Sequence, residues 1–431
     1  MELALYFLAL IFLMFFGVPI AYSLLISAVF YIFFLSSIDP IILPQKLQVG
    51  LNSFPLLAVP FFLMLGNVMG HAGITVRLVG LANALVGHIR GGLAHVTIVT
   101  CMFMGGVQGA ATSEAAAVGS ILIPAMTRTG YSPSFAAALT AAASILGPII
   151  PPSLPMVIFG SLCNVSIGRL FLGGAVPGIL LGFYLMLYSY IMARQGKIGQ
   201  MEKLEQFSFL RLQKSLKGGS LPFLIPVVIV GGIVGGVFTP TESGAVATMI
   251  AIALGILVYR QFRWKQFIES SISTLYILGS VMIIVAGAAA FGYILNLEGA
   301  AKLLGAALFA ISKDPLMIMV IINILLLILG CFLETLAIII LVGPILLPIA
   351  VAAGFDPVHI GVVMVLNLAI GMTTPPVGLC IFVSCGIAGI SVREFMRDMF
   401  PLYIPLLLGL ITIVLFPQTV MFLPNLLMPV R

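Results

Sequence analysis

Two short stretches, GPIIPPS at 147–153 and GMTTPPV at 371–377, decide how this chain folds. Each sets a Pro-Pro pair inside a long apolar run. Proline has no backbone N–H and clashes with the preceding turn, so each pair interrupts a helix and frees carbonyls behind it. The surroundings repeat as well. Residues 106–160 align with residues 330–384 at a constant offset of 224, pairing Gly106 with Gly330 and Gly119 with Gly343. Pro124 pairs with Pro348, Gly130 with Gly354, Pro133 with Pro357 and Gly147 with Gly371. A fixed offset over that many glycines and prolines marks an internal duplication.

The solvent follows from composition. Charged residues are 7% and hydrophobic residues 61% of the 431 positions, and mean hydropathy is +1.26. Soluble domains carry roughly 25% charged residues, so most of this surface faces lipid. In lipid the backbone must satisfy itself, which restricts spans to helices or closed barrels. The apolar runs lack the period-2 alternation of a barrel, and the chain is therefore an all-α polytopic membrane protein. The first run, Leu3 to Leu35, has only Glu2 as a nearby charge and no small-residue cleavage site, so it reads as mature helix. The five cysteines sit in apolar runs and read as small buried hydrophobes. The net charge of +6 needs no nucleic acid.

A span needs about 20 apolar residues. Leu3–Leu35, with Gly17-Val18-Pro19 in it, reads as two short spans. So does Leu221–Tyr259, broken at Thr239-Pro240-Thr241-Glu242. Further segments lie near 51–70, 133–165, 168–193, 272–295, 357–390 and 399–426, with longer ones at 91–127 and 315–350. Taken as re-entrant hairpins, the last two leave each half with five spans. An odd number inverts one half relative to the other. The basic stretch 194–219 is then cytoplasmic and both termini lie outside, and Arg77, Arg90, Arg128, Arg260, Arg263, Lys265, Arg393 and Arg397 join the linker cations inside. Segment 74–89 reads as an amphipathic arm and Trp264 as an interfacial anchor in contact with membrane lipid. The halves are 1–193 and 220–431, joined by the linker 194–219.

Inverted repeats of broken helices place substrate and ion sites near the midplane in secondary transporters. Two features recur in each half. One is a polar hairpin tip, Gly105–Glu114 and Gly330–Thr335; the other is the Pro-Pro break. Unwound carbonyls suit a small hard cation such as sodium, and half-helix N-termini suit an anion. Glu114 and Glu334 are the acids deepest in apolar sequence, and intramembrane carboxylates are functional candidates. No histidine, cysteine or serine cluster supports an enzyme. A channel gives no reason for paired hairpins.

The strings AAAVGSILIPAM (115–126), GYSPSFAAALTAAASILGPIIPPSLPMVIFG (130–160), TPTESGAVA (239–247), GCFLETLAIIILVGPILLPIA (330–350) and DPVHIGVVMVLNLAIGMTTPPVGLCIFV (356–383) resemble the large membrane subunit of the tripartite ATP-independent periplasmic (TRAP) transporters. The resemblance implies sodium-driven import of an organic acid across a bacterial inner membrane, with proton coupling as the alternative. It implies two partners, a periplasmic substrate-binding protein and a small membrane subunit, and no cofactor beyond sodium as the coupling ion. It also implies an elevator, with scaffold 1–90 and 220–313 and transport units 91–165 and 314–390. Carried onto matching positions, one sodium site uses Gln108, Ala111, Gly147, Ile150 and Pro152. The other uses Gly330, Gly371, Thr374 and Val377, with Glu334 beside it. Substrate contacts fall to Gln108, Thr112, Ser113, Thr335 and Thr373. The first tip departs from the family's serine-rich pattern, with Gln108-Gly109-Ala110-Ala111 in its place.

Overall fold

A computed structural model describes residues 2–52, 54–198 and 208–429. Its first part contains α1 (Glu2–Phe15), α2 (Ile20–Phe30), α3 (Ile42–Leu51), α4 (Ala58–His71) and α5 (Ile74–Val86). Gly17, at φ +80°, turns the chain between α1 and α2, a left-handed conformation that glycine takes without a Cβ penalty. Helix α5 leaves α4 at 71°. Then come α6 (Gly92–Gln108), α7 (Ala111–Arg128), α8 (Pro133–Ser144), α9 (Leu146–Ile149), α10 (Leu154–Cys163) and α11 (Ile167–Arg194).

The second part contains α12 (Phe209–Gly219), α13 (Leu224–Val234), α14 (Pro240–Ala253), α15 (Trp264–Leu297) and α16 (Ala300–Ile311). It continues with α17 (Pro315–Phe332), α18 (Thr335–Ala352), α19 (Pro357–Gly371), α20 (Leu379–Ala388), α21 (Val392–Leu415) and α22 (Gln418–Leu427). Both ends of α18 lie 224 positions beyond those of α7. A short π-helical turn follows α2 at Tyr31–Leu35 and another follows α14 at Leu254–Val258.

Among the described residues, six helices are long and apolar enough to cross a membrane, or nine if each bent pair is one span. The molecule is a multi-pass all-helical membrane protein. Its centre is occupied by α8, buried from Phe135 to Ser144, and α19, buried from Val358 to Gly371. Alanines in α8 let neighbouring backbones approach, as small residues do in membrane bundles. Helix α20 packs on α7 and α8, while α10 packs on α18 and α19. Each part thus lays the segment after its break against the other part's hairpin.

Three elements differ from what the sequence suggests. The segment expected at 272–295 is one 34-residue helix, α15, about 51 Å long at 1.5 Å per residue. The segment expected at 399–426 is split. Pro417 pushes Phe416 out of helical geometry, to φ −120° and ψ 75°, so α21 ends there and α22 turns back onto α11. The hairpin tips are tighter than their polar stretches. Only Gly109-Ala110 and Leu333-Glu334 lie outside helices. Part of the linker, 199–207, falls outside the described residues.

Candidate ion site at the hairpin tips

Each hairpin end lies directly against a break. At the second, a Cβ on Gly371 would sit 2.6 Å from the Gly330 Cα, so α17 and α19 meet backbone to backbone. Cys331, one residue further toward the tip, accepts through its carbonyl from the N–H groups of Val377 and Gly378, both at 3.2 Å. At the first, a Cβ on Gly105 would meet the Gly147 Cα at 3.1 Å and the Leu146 oxygen at 3.1 Å. One on Gly109 would meet the Pro152 oxygen at 3.1 Å. Glycine is required at these points because any side chain would part the two elements.

Inside the breaks the freed carbonyls have specific partners. Pro152 cannot donate to the Pro148 carbonyl, and the Ser153 hydroxyl donates to it instead. Ser153 also caps α10 by accepting from Met156 N–H. Pro376 cannot donate to the Met372 carbonyl, and Cys380 N–H takes its place at 3.1 Å. The first proline of each pair, Pro151 or Pro375, likewise withholds a donor from Gly147 or Gly371. Gly371 accepts from Thr374 N–H at 2.9 Å. Both peptide bonds within the Pro-Pro pairs are cis.

The residues named from sequence therefore fall into groups. Gly147, Ile150 and Pro152 gather at the first seam, with Ala111 opening α7 next to Ala110, and Gly330, Gly371, Thr374 and Val377 gather at the second. The side chain of Gln108 lies outside the described residues. Thr335 and Thr373 are at the second seam, but their hydroxyls are turned inward. Thr335 donates to the Met372 sulfur at 2.9 Å and Thr373 to the Ile370 carbonyl at 2.8 Å. Thr374 donates to the same carbonyl at 3.1 Å. Thr112 is half-buried, two residues before Glu114. Ser113 faces away, into a cleft of ≈ 520 Å³ between α7 and α4, shared with Asn67, His71 and Ser120. His71 Nδ1 lies 3.0 Å from the Asn67 carbonyl. The same nitrogen lies 3.0 Å from the Ser270 hydroxyl of α15.

The two acids are placed oppositely. Glu334 is exposed, at the N-cap of α18, and makes no capping bond. Glu114 is fully buried in the first turn of α7.

Sequence reasoning missed two groups. Tyr403, on α21, donates its hydroxyl to the Thr373 carbonyl inside the second break. Asn367 donates to both the carbonyl and the side-chain oxygen of Asn323, at 3.0 and 2.6 Å, clasping α19 to α17. The matching first-half positions hold Ile179, Ala143 and Val99, so the duplication gave no signal for either.

A multi-pass helical bundle in which hairpin ends close on interrupted helices defines a membrane transporter. Residues 7–419 match the family model of the tripartite ATP-independent periplasmic transporter, DctM component, and the chain belongs to that family. It is a large permease subunit of a TRAP transporter, not an enzyme, and a multi-pass protein of the bacterial inner membrane. It is 40% identical to the sialic acid TRAP transporter large permease protein SiaM of Vibrio cholerae over 417 residues, covering 96% of each chain. It is 38% identical to the C4-dicarboxylate TRAP transporter large permease protein DctM of Pseudomonas aeruginosa, covering 86% of each. Among solved structures, the YdaH transporter of Alcanivorax borkumensis shares the fold, with a TM-score of 0.58 at 16% identity over 88% of this chain and 89% of that one.

Proposed function

We propose that this subunit imports an organic acid by sodium-coupled secondary transport, receiving the substrate from a periplasmic binding protein and working beside a small membrane subunit. The observation that carries the reading is the doubled seam, in which interrupted backbone closes on a hairpin end twice. Carbonyls that have lost their helical donors are hard oxygen ligands, and such discontinuous helices hold coupling ions in secondary transporters. When bound, sodium supplies positive charge that lets an anionic substrate sit at membrane depth. Ala111, Gly147, Ile150 and Pro152 would hold one ion, and Gly330, Gly371, Thr374 and Val377 the other.

The organic-acid class rests on the relatives, whose names specify sialic acid, C4-dicarboxylates and 2,3-diketo-L-gulonate. The cleft between α4 and α7 suits such a molecule. Its volume of ≈ 520 Å³ falls within the 300–1,000 Å³ typical of small-ligand sites. Its polar lining of Asn67, His71, Ser113 and Ser120 spans both walls. On this reading the halves are inverted repeats, and α5 and α16 are arms along which the hairpins and broken helices move as an elevator past the scaffold.

Proteoliposomes holding this chain and its small subunit, given a loaded binding protein outside, test the proposal. Uptake should follow an inward sodium gradient and stop without the binding protein. Equal uptake with choline replacing sodium would remove sodium coupling and leave protons as the driver.

A further inference from the structure

We propose that Glu114 is the anionic ligand of the cation at the first seam, so that this site is charged while the second is built from neutral groups. The inference rests on the sodium reading above and assigns a residue to it.

Glu114 has no exposed surface, and neither carboxylate oxygen has a hydrogen-bond partner. The Cys101 thiol on α6 stands beside it, but a thiol is a weak donor. The start of α7 offers about half a positive charge. Burying a carboxylate without a full counter-charge is among the costliest placements a side chain can have, and orphaned buried groups call for a missing partner such as an ion.

The position supplies the partner's identity. Oε2 lies over Gly147, so close that a Cβ there would stand 2.1 Å from it and 3.8 Å from the Ala110 carbonyl carbon. The carboxylate, the Gly147 backbone and Ala110 of the first tip thus lie side by side. Pro151 has no N–H to give the Gly147 carbonyl. A monovalent cation at that point takes the charge of Glu114 and the oxygens of the interrupted helix, and leaves a neutral site. The second seam has no equivalent. The position matching Glu114 is Ile338, buried and apolar, and Glu334 at the second tip is exposed.

The test is sodium-dependent thermal stabilisation of the purified chain with its small subunit, titrated with sodium chloride against choline chloride. E114Q keeps the shape and removes the charge. Its midpoint for sodium should rise by about thirtyfold or more, the loss expected when one member of a buried charge pair is removed. Gly147→Ala leaves the charge but displaces the carboxylate, and should raise the midpoint in the same direction. It serves as the second arm if E114Q is not recovered folded. A wild-type midpoint in E114Q would overturn the assignment, because glutamine mimics a protonated acid and the group would then be holding a proton. A wild-type midpoint in Gly147→Ala would overturn it as well. If the wild-type chain shows no sodium response and no sodium-driven uptake, the coupling reading falls first and this assignment with it. If the wild type responds and E114Q matches it, only the assignment falls.

Discussion

At the second seam backbone lies on backbone, with Gly330 against Gly371 and the Cys331 carbonyl bonded across to Val377 and Gly378. At the first, Gly105 approaches Gly147 in the same way, but the other side of Gly147 is covered by the end of a side chain, the carboxylate of Glu114. One seam is closed by groups that cannot turn aside. The other holds a group that can. The helix ends at the two junctions keep the same register, while the junctions are filled with different chemistry.

The largest effect should come from adding a methyl where there is only backbone to meet it. Gly371→Ala places a Cβ 2.6 Å from the Gly330 Cα. Overpacking of this kind costs about 1–3 kcal/mol, and here it separates the hairpin from the break. Transport should be abolished and the melting temperature lowered. A variant with wild-type melting and uptake would show that the second seam is as forgiving as the first.

Gly147→Ala is the matched change at the first seam. Because it meets the movable end of Glu114, the fold should survive with a melting temperature near wild type in choline, while the sodium midpoint rises. A fall in stability equal to that of Gly371→Ala would erase the distinction between the seams.

Tyr403→Phe removes one hydroxyl from the Thr373 carbonyl. An ordinary hydrogen bond contributes about 1 kcal/mol, so the sodium midpoint should move by roughly fivefold. Maximal uptake at saturating sodium should be unchanged, since the loop is mispositioned without losing a ligand. A reduced maximum with an unchanged midpoint would place Tyr403 on the moving path instead.

Glu334→Gln should do least. The side chain is exposed on this chain and caps nothing, so the midpoint should move by roughly twofold, about 0.4 kcal/mol. A loss comparable to that of E114Q would make the two tips alike in charge.

Glycine and proline are legible in sequence because they act on their own backbone. Gly17, Gly109, Pro151-Pro152 and Pro375-Pro376 announce turns and breaks whatever surrounds them, and the offset between the copies locates both seams. Side-chain direction is different, since it depends on which helix lies opposite. Read in sequence, Glu334 at a tip looks better placed than Glu114, a turn inside a helix. In the fold, the tip points its acid outward and the first turn of α7 points its acid at Gly147. Tyr403 and Asn367 are also invisible for this reason. Each acts on a carbonyl or amide far along the chain, and neither recurs in the other half. The length of α15 was hidden by its polar start at Trp264–Ser271, which reads as interface but is continuous helix.

The exchange of partners between the halves has a consequence for how the protein is made. Helix α7 is covered by α20, whose last residue is Ala388, and α10 is covered by α18. Synthesis of the first half therefore ends with two apolar faces still open to lipid. Those faces wait until nearly the whole second half has been inserted. Assembly is late and reciprocal: the ribosome delivers two unfinished halves, and each becomes complete only by docking on the other.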